Sequence, residues 1–230
     1  MNNISWNNQK FFDKGVVIEK IPTITKAKKR FKTYTIPGRN GVLNIDQDTY
    51  DTIACTLECH FKDLDTTIPT LNTWLDGYGK LSLDGVRYYE GIISNNIPYE
   101  QIQNFKKFQV NFTLNPIQKK INATEVELNV SEATQTISVD GTYKTYPVIE
   151  VDGTGQLIIR VNETTFTITS NGNYPYILDC EAKEILQNNV NASSSMSGDF
   201  PFLNPGDNEI YISGTGTFTS ITITYHESYL

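Results

Sequence analysis

At 230 residues, 38% of them hydrophobic and 20% charged, the chain is long enough for one large or two small domains and too apolar for a disordered polymer. Its opening, MNNISWNNQKFFDK, lacks the apolar stretch of a signal peptide, no run approaches the ~18 apolar residues of a membrane span, and three cysteines make no disulfide framework; a protein assembled in a reducing cytoplasm with no membrane partner is expected. The formal charge of −7 is uneven: residues 1–122 hold 16 Lys and Arg against 12 Asp and Glu, whereas residues 123–230 hold 3 against 14, which suggests two domains and makes the second half a poor ligand for nucleic acid.

In chain order, the first informative stretch is TKAKKRFKTY, residues 25–34. Its Lys26, Lys28, Lys29, Arg30 and Lys32 read as a charged edge that docks an acidic neighbour, in preference to a nucleic-acid site. The stretch KTYTIPGRNGVL overlaps it and runs to Leu43. Pro37 fixes φ, Gly38 and Gly41 permit positive φ, and Arg39 sits at the tip. A rigid protrusion between two strands is expected, with Arg39 placed for bidentate contact with a carboxylate on a neighbouring molecule. DQDTYD, residues 46–51, has a faint likeness to a calcium loop but lacks the glycine and closing glutamate, so a solvated turn is the reading.

DTIACTLECHF follows, with Ile53, Cys55, Leu57, Cys59 and Phe61 on one face and Thr52, Ala54, Thr56, Glu58 and His60 on the other. This period of two defines a half-buried antiparallel strand. It also separates His60 from the two cysteines, which read as small buried hydrophobes and not as a zinc site. Next, Ile68, Leu71, Trp74 and Leu75 fall at helical spacing. A short helix is expected over about residues 66–76, capped by Asp65 or Thr66, laid on the sheet through Trp74 and ended by Gly77. KLSLDGVRYYEGII and KKFQVNFTLNP return to strands, the latter with Phe108, Val110, Phe112 and Leu114 on one face.

The basic residues stop near NPIQKKINATE, residues 115–125, and this polar stretch reads as a linker between domains at 1–121 and 122–230. Asn40-Gly41, Asp84-Gly85, Asp140-Gly141, Asp152-Gly153 and Asn171-Gly172 read as hairpin turns. Residues 188–208 are too long and polar for a tight turn and read as a functional or mobile loop. Neither histidine stands in a nucleophile or metalloprotease motif, and the glycine pairs in DGTGQ and SGTGT lack the context of a phosphate loop. No catalytic residue, cofactor or metal site is assigned.

The order of IPGRNGVL, TLNTWLDGYGKLSLDGVRYYEGII and FKKFQVNFTLNPI, then YPVIEVDGTGQLIIRVN, YILDCEAKEIL and DFPFLNPGDNEIYISGTG, resembles the distal tail proteins of long, non-contractile-tailed bacteriophages of Gram-positive hosts. The resemblance spans nearly the whole chain. It implies a mainly β fold: an N-terminal tail-tube-like β-sandwich with one helix, then a C-terminal galectin-like β-sandwich. It further implies a non-enzymatic virion protein, assembled in the host cytoplasm. Six copies of the N-terminal domain would form a ring prolonging the tail tube, a hub joining tube protein, tail-associated lysin or fibre protein and receptor-binding components. DNA would be present only in transit through the channel. On this reading Arg39, Lys28, Lys29 and Arg30 are candidates for the ring interface, and Pro37, Gly38, Gly41, Trp74 and Gly77 are structural. The alternative is a carbohydrate-binding accessory module. The second half holds Tyr143, Tyr146, Tyr174, Tyr176, Tyr211, Tyr225 and Tyr229, but neither tryptophan, and no Arg, His or Trp constellation is visible around those tyrosines, so a structural sandwich is preferred.

Overall fold

A computed structural model describes residues 3–61, 68–93, 96–97, 100–102 and 105–230. It is mainly β and divides into two compact units, Met1–Gln118 with Leu230, and Lys119–Tyr229. Each has its own apolar core.

The N-terminal sheet runs in the order Gln9–Lys10, Ser5–Trp6, Gly77–Ser82, Arg87–Ile93, Phe105–Lys120, Ile53–Phe61, Val16–Ile18. Residues Ile53–Phe61 alternate between core and solvent along their length, with Ile53, Cys55, Leu57, Cys59 and Phe61 buried. Their antiparallel partners match them apolar for apolar: Phe108 faces Cys59, Val110 faces Leu57, Phe112 faces Cys55 and Leu114 faces Ile53. A slip of one residue would turn both rows to water, so burial fixes the register. Trp6 fills the centre, fully buried against Phe112 with ring centroids 5.2 Å apart. The helix Ile68–Trp74 covers this face through buried Leu71. Half-buried Trp74 packs edge-on against Phe11 at 4.8 Å and donates from Nε1 to the Trp6 carbonyl at 3.3 Å. The expected caps Asp65 and Thr66 lie outside the described residues. Gly77, at φ 68°, turns the chain from helix into strand.

The C-terminal unit is organised by one strand, Val148–Val161. Its first half pairs with Tyr176–Asp179 on one side and Thr217–Tyr225 on the other. Its second half exchanges the first partner for Thr164–Asn171, with Gly206–Gly214 on its other side. The changeover falls at a bulge between Asp152 and Gly153. A Cβ on Gly153 would stand 2.5 Å from the Thr217 carbonyl oxygen, so a glycine is what lets the neighbouring backbone close in. By bending there, one strand serves both layers of a β-sandwich. Around it close Ile149, Val151, Leu157, Ile159, Phe166, Ile168 and Ile221, all buried.

Several expectations change. Asp152-Gly153 makes no hairpin; the strand runs through it. Asp140-Gly141 and Asn171-Gly172 make none either, because the strands before and after each of them do not pair with one another. The supposed linker at 115–125 is strand up to Lys120 and again from Thr124, because backbone bonds there find partners such as Glu227, whose carbonyl accepts from the Lys120 N–H. Residues 188–208 are not a loose loop. They hold the strands Val190–Asn191 and Met196–Gly198 and a bridge from Leu203 to Thr145. Several tight reversals use asparagine in the left-handed region, at Asn162, Asn188 and Asn189, a residue type that tolerates it. Asn208, fully buried, ties two loops: its side chain accepts from the Asn204 N–H and the Asn162 amide and donates to the Asn204 and Gly206 carbonyls.

Glu227 is buried in the same unit and accepts from Lys120 Nζ at 2.9 Å and from the Tyr229 hydroxyl at 2.8 Å. Burial pushes this carboxyl up, but the bonds from Lys120, Tyr229 and Thr124 outweigh burial and hold it below the ordinary 4.5. A carboxylate with a depressed folded pKa stabilises above its unfolded value and loses that contribution as pH falls through the folded one. Glu227→Gln is therefore expected to lower urea-unfolding stability at neutral pH, and the gap from wild type to narrow once pH drops below 4.5.

Candidate functional site

The feature that needs a function is a two-stranded ribbon formed by Lys29–Tyr34 and Leu43–Tyr50, joined by residues 35–42. It is a sheet of its own. Only Lys29 and Tyr50, at its base, are partly buried; every residue from 30 to 49 is exposed. β-branched and aromatic residues at alternate positions explain why it is strand.

Cross-strand pairs place side chains on two faces. One face holds Tyr34 opposite Leu43 and Lys32 opposite Ile45. The Lys32 ammonium lies 5.2 Å from the Tyr34 ring centroid, so its stem adds to the apolar row. Ile36 and Val42 extend the exposed apolar surface into the tip. On the other face Phe31 stands opposite Asp46, and the Thr33 hydroxyl donates to Asn44 at 2.9 Å. Phe31, Val42 and Ile45 are each about half exposed, at 52%, 50% and 49%.

The tip is shaped by backbone geometry. Gly38 and Gly41 have φ of 79° and 80°, with nothing within 4 Å of where a Cβ would be. The Arg39 N–H closes a turn onto the Ile36 carbonyl at 3.2 Å. Arg39 is exposed at this tip beside Pro37. Among the described residues neither Arg39 nor Lys28 makes a side-chain ion pair.

The other two interface candidates are already engaged. Lys29 donates to Asp46, and Arg30 Nε donates to Asp51 at 2.6 Å. The bond raises the Lys29 pKa and lowers that of Asp46. Sequence order hid these pairs, because each joins the two strands across the tip. They also correct the reading of DQDTYD, which is no turn: Asp46 to Tyr50 continue the second strand of the ribbon, and Asp46 is held by Lys29 and by the Asp48 N–H at 2.8 Å.

The remaining chemistry-bearing residues do not converge. Cys55 and Cys59 are buried, and burial pushes their thiols up to about 11 and about 12. Cys180 is buried in the other unit, its thiol likewise pushed up to about 12. His60 lies on the opposite strand face and bonds Glu19 at 3.1 Å. Among the described residues no three His, Cys, Asp or Glu are grouped to hold a metal, and no helix is long and apolar enough to cross a membrane.

The overall fold agrees with comparison to known proteins. Residues 107–229 match the family model of the siphovirus-type tail component, C-terminal domain. The chain belongs to this family, and so is a structural component of a bacteriophage tail. Over 99% of both chains it also shares the fold of the crystal structure of SPP1 Dit (gp 19.1), with a TM-score of 0.76 at 13% sequence identity. That protein is described as a paradigm of the hub adsorption apparatus in Gram-positive-infecting phages. No curated protein sequence matches the chain.

Because Ile45 touches solvent in the isolated chain, Ile45→Asp should leave the thermal midpoint within a degree or two, the behaviour of surface changes. A docking role for this face predicts that the same change weakens self-association by about tenfold or more, the scale of losing one apolar anchor. Calorimetry and sedimentation equilibrium measure the two effects separately.

Proposed function

We propose that this chain is the distal tail hub of a siphophage and acts by assembly, not catalysis. Six copies close into a ring through their N-terminal units, prolong the tail tube, and seat the lysin or fibre protein and the receptor-binding components beyond it. DNA crosses the ring only in transit. The C-terminal unit is a galectin-like sandwich carried by the ring.

The observation that carries this reading is the arm. A two-stranded ribbon is marginal in water by itself, and this one displays an apolar row with no cover from the described residues of its own chain. A ring needs a heterologous, head-to-tail contact whose rotation closes, and an arm reaching onto the next copy supplies one. The pairing of Lys29 with Asp46 and Arg30 with Asp51 leaves those two cations less free for phosphate, in keeping with a protein-facing surface. Arg39 and Lys28 remain as the cations for a neighbour's carboxylates. The family match and the fold shared with a hub protein support the same reading.

Light scattering and negative-stain microscopy of the purified full chain test it. The expected result is a six-fold ring of about six times the 26.0 kDa chain mass. A 26.0 kDa species at every concentration, alone and with tail tube protein, would sink the proposal. Arg39→Ala should shift the equilibrium towards monomer while the melting curve stays unchanged.

A further inference from the structure

The C-terminal unit carries a second constellation, outside the arm. Thr134, Tyr211, Arg160 and Thr165 lie side by side across four strands, each directly opposite the next. Direct antiparallel partners share a face, so these four form one row. Two residues along, Thr136 pairs with Glu209 to form the row beside it. The guanidinium carbon of Arg160 lies 5.3 Å from the Tyr211 ring centroid, and its Nη2 donates to Glu209 Oε1 at 2.6 Å. Arg160 Nε is buried with no hydrogen-bond partner. The guanidinium is thus fixed by an aromatic ring and a carboxylate, at the cost of one unpartnered N–H.

A buried donor left without an acceptor needs a reason. Holding a planar fork in one pose beside an aromatic ring is how a binding surface is preorganised. Tyr211 remains 38% exposed and the Glu209 side chain 55% exposed, so the aromatic surface and an acceptor both stay reachable from solvent.

We propose that Tyr211, Arg160 and Glu209 form a stacking platform for a neutral pyranose ring. A pyranose has an apolar C–H face and a rim of hydroxyls. Tyr211 offers a ring for the first; Arg160 as donor and Glu209 as acceptor address the second. The hydroxyls of Thr134, Thr136 and Thr165, all exposed, surround them. Tyr and Arg are common at protein–protein hot spots, but the threonines and the glutamate that surround them here are under-represented there. An anionic polymer is disfavoured as well, because residues 123–230 carry 3 basic against 14 acidic side chains. The ligand class is therefore an uncharged saccharide, of the kind displayed on a cell surface. This role adds to the tail hub and does not require it.

The test uses the full-length protein labelled with ¹⁵N and titrated with a panel of neutral soluble oligosaccharides built from hexoses and N-acetylhexosamines, with a polyanionic polysaccharide as comparison. At least one neutral saccharide is expected to shift the Tyr211 amide and Arg160 Nε–H signals saturably. Tyr211→Ala and Arg160→Lys should each weaken that binding by about tenfold or more, with melting curves close to wild type. Tyr174→Ala, at an exposed tyrosine off this face, should leave binding intact. The proposal fails if no neutral saccharide moves these signals, if only the polyanion does, or if Tyr211→Ala binds as wild type. It also fails if Tyr211→Ala changes the mass of the assembly, since the face would then be a protein contact. Ring formation without saccharide binding would overturn this inference alone.

Discussion

A β-ribbon with water on both sides has no core to hold it. Residues 29–50 are in that position, with Tyr34, Ile36, Val42, Leu43 and Ile45 turned to solvent. Cross-strand ion pairs and the Thr33–Asn44 bond give the arm its shape, but surface pairs of this kind contribute little stability each. What remains is apolar surface that gains free energy only when another molecule covers it. The functional reading of the chain follows from that constraint: a component that completes itself by assembly.

The two units meet the complementary requirement, that the rest of the molecule be stable without the partner. In the N-terminal unit this comes from the matched apolar rows of Ile53–Phe61 and Phe108–Leu114 closed by Trp6 and Leu71. In the C-terminal unit it comes from one bent strand shared between two layers. Separate cores let the arm stay exposed without endangering the fold, and they leave the second unit's surface open to its own chemistry.

Much of this was legible in the sequence, where the signal is local. The period of two in ACTLECHF, and again in FQVNFTL, is a direct imprint of one buried face. The helix through Leu71 and Trp74 left its spacing, and the turn at Asp84-Gly85 left its dipeptide: the Asp84 carboxylate accepts from the Val86 and Arg87 N–H groups at 2.8 Å. Asp152-Gly153 carries the same dipeptide and makes a bulge, because the partner strands on either side, and not the two residues, decide whether the chain reverses. Residues 115–125 looked like a linker because polarity reports exposure of side chains, while the backbone up to Lys120 and from Thr124 onward is strand all the same.

The sites were less legible, since they are made by pairs distant along the chain. Lys29 and Asp46 face each other only once the hairpin has formed. Arg160 reaches Tyr211 only because the Gly206–Gly214 strand lies beside Val148–Val161; no grouping of Arg with Tyr is visible until the sheet is assembled. Basic clustering near Lys28 drew attention to the arm, yet it could not tell a cation already paired within the arm, such as Lys29 or Arg30, from one that makes no ion pair among the described residues. Amide hydrogen exchange of residues 29–50, compared between dilute monomer and assembled protein, tests the central claim most directly. The arm should exchange quickly in the monomer and become strongly protected on assembly, while the amides of Ile53–Phe61 change little. An arm that exchanges equally fast in both states would contradict the account.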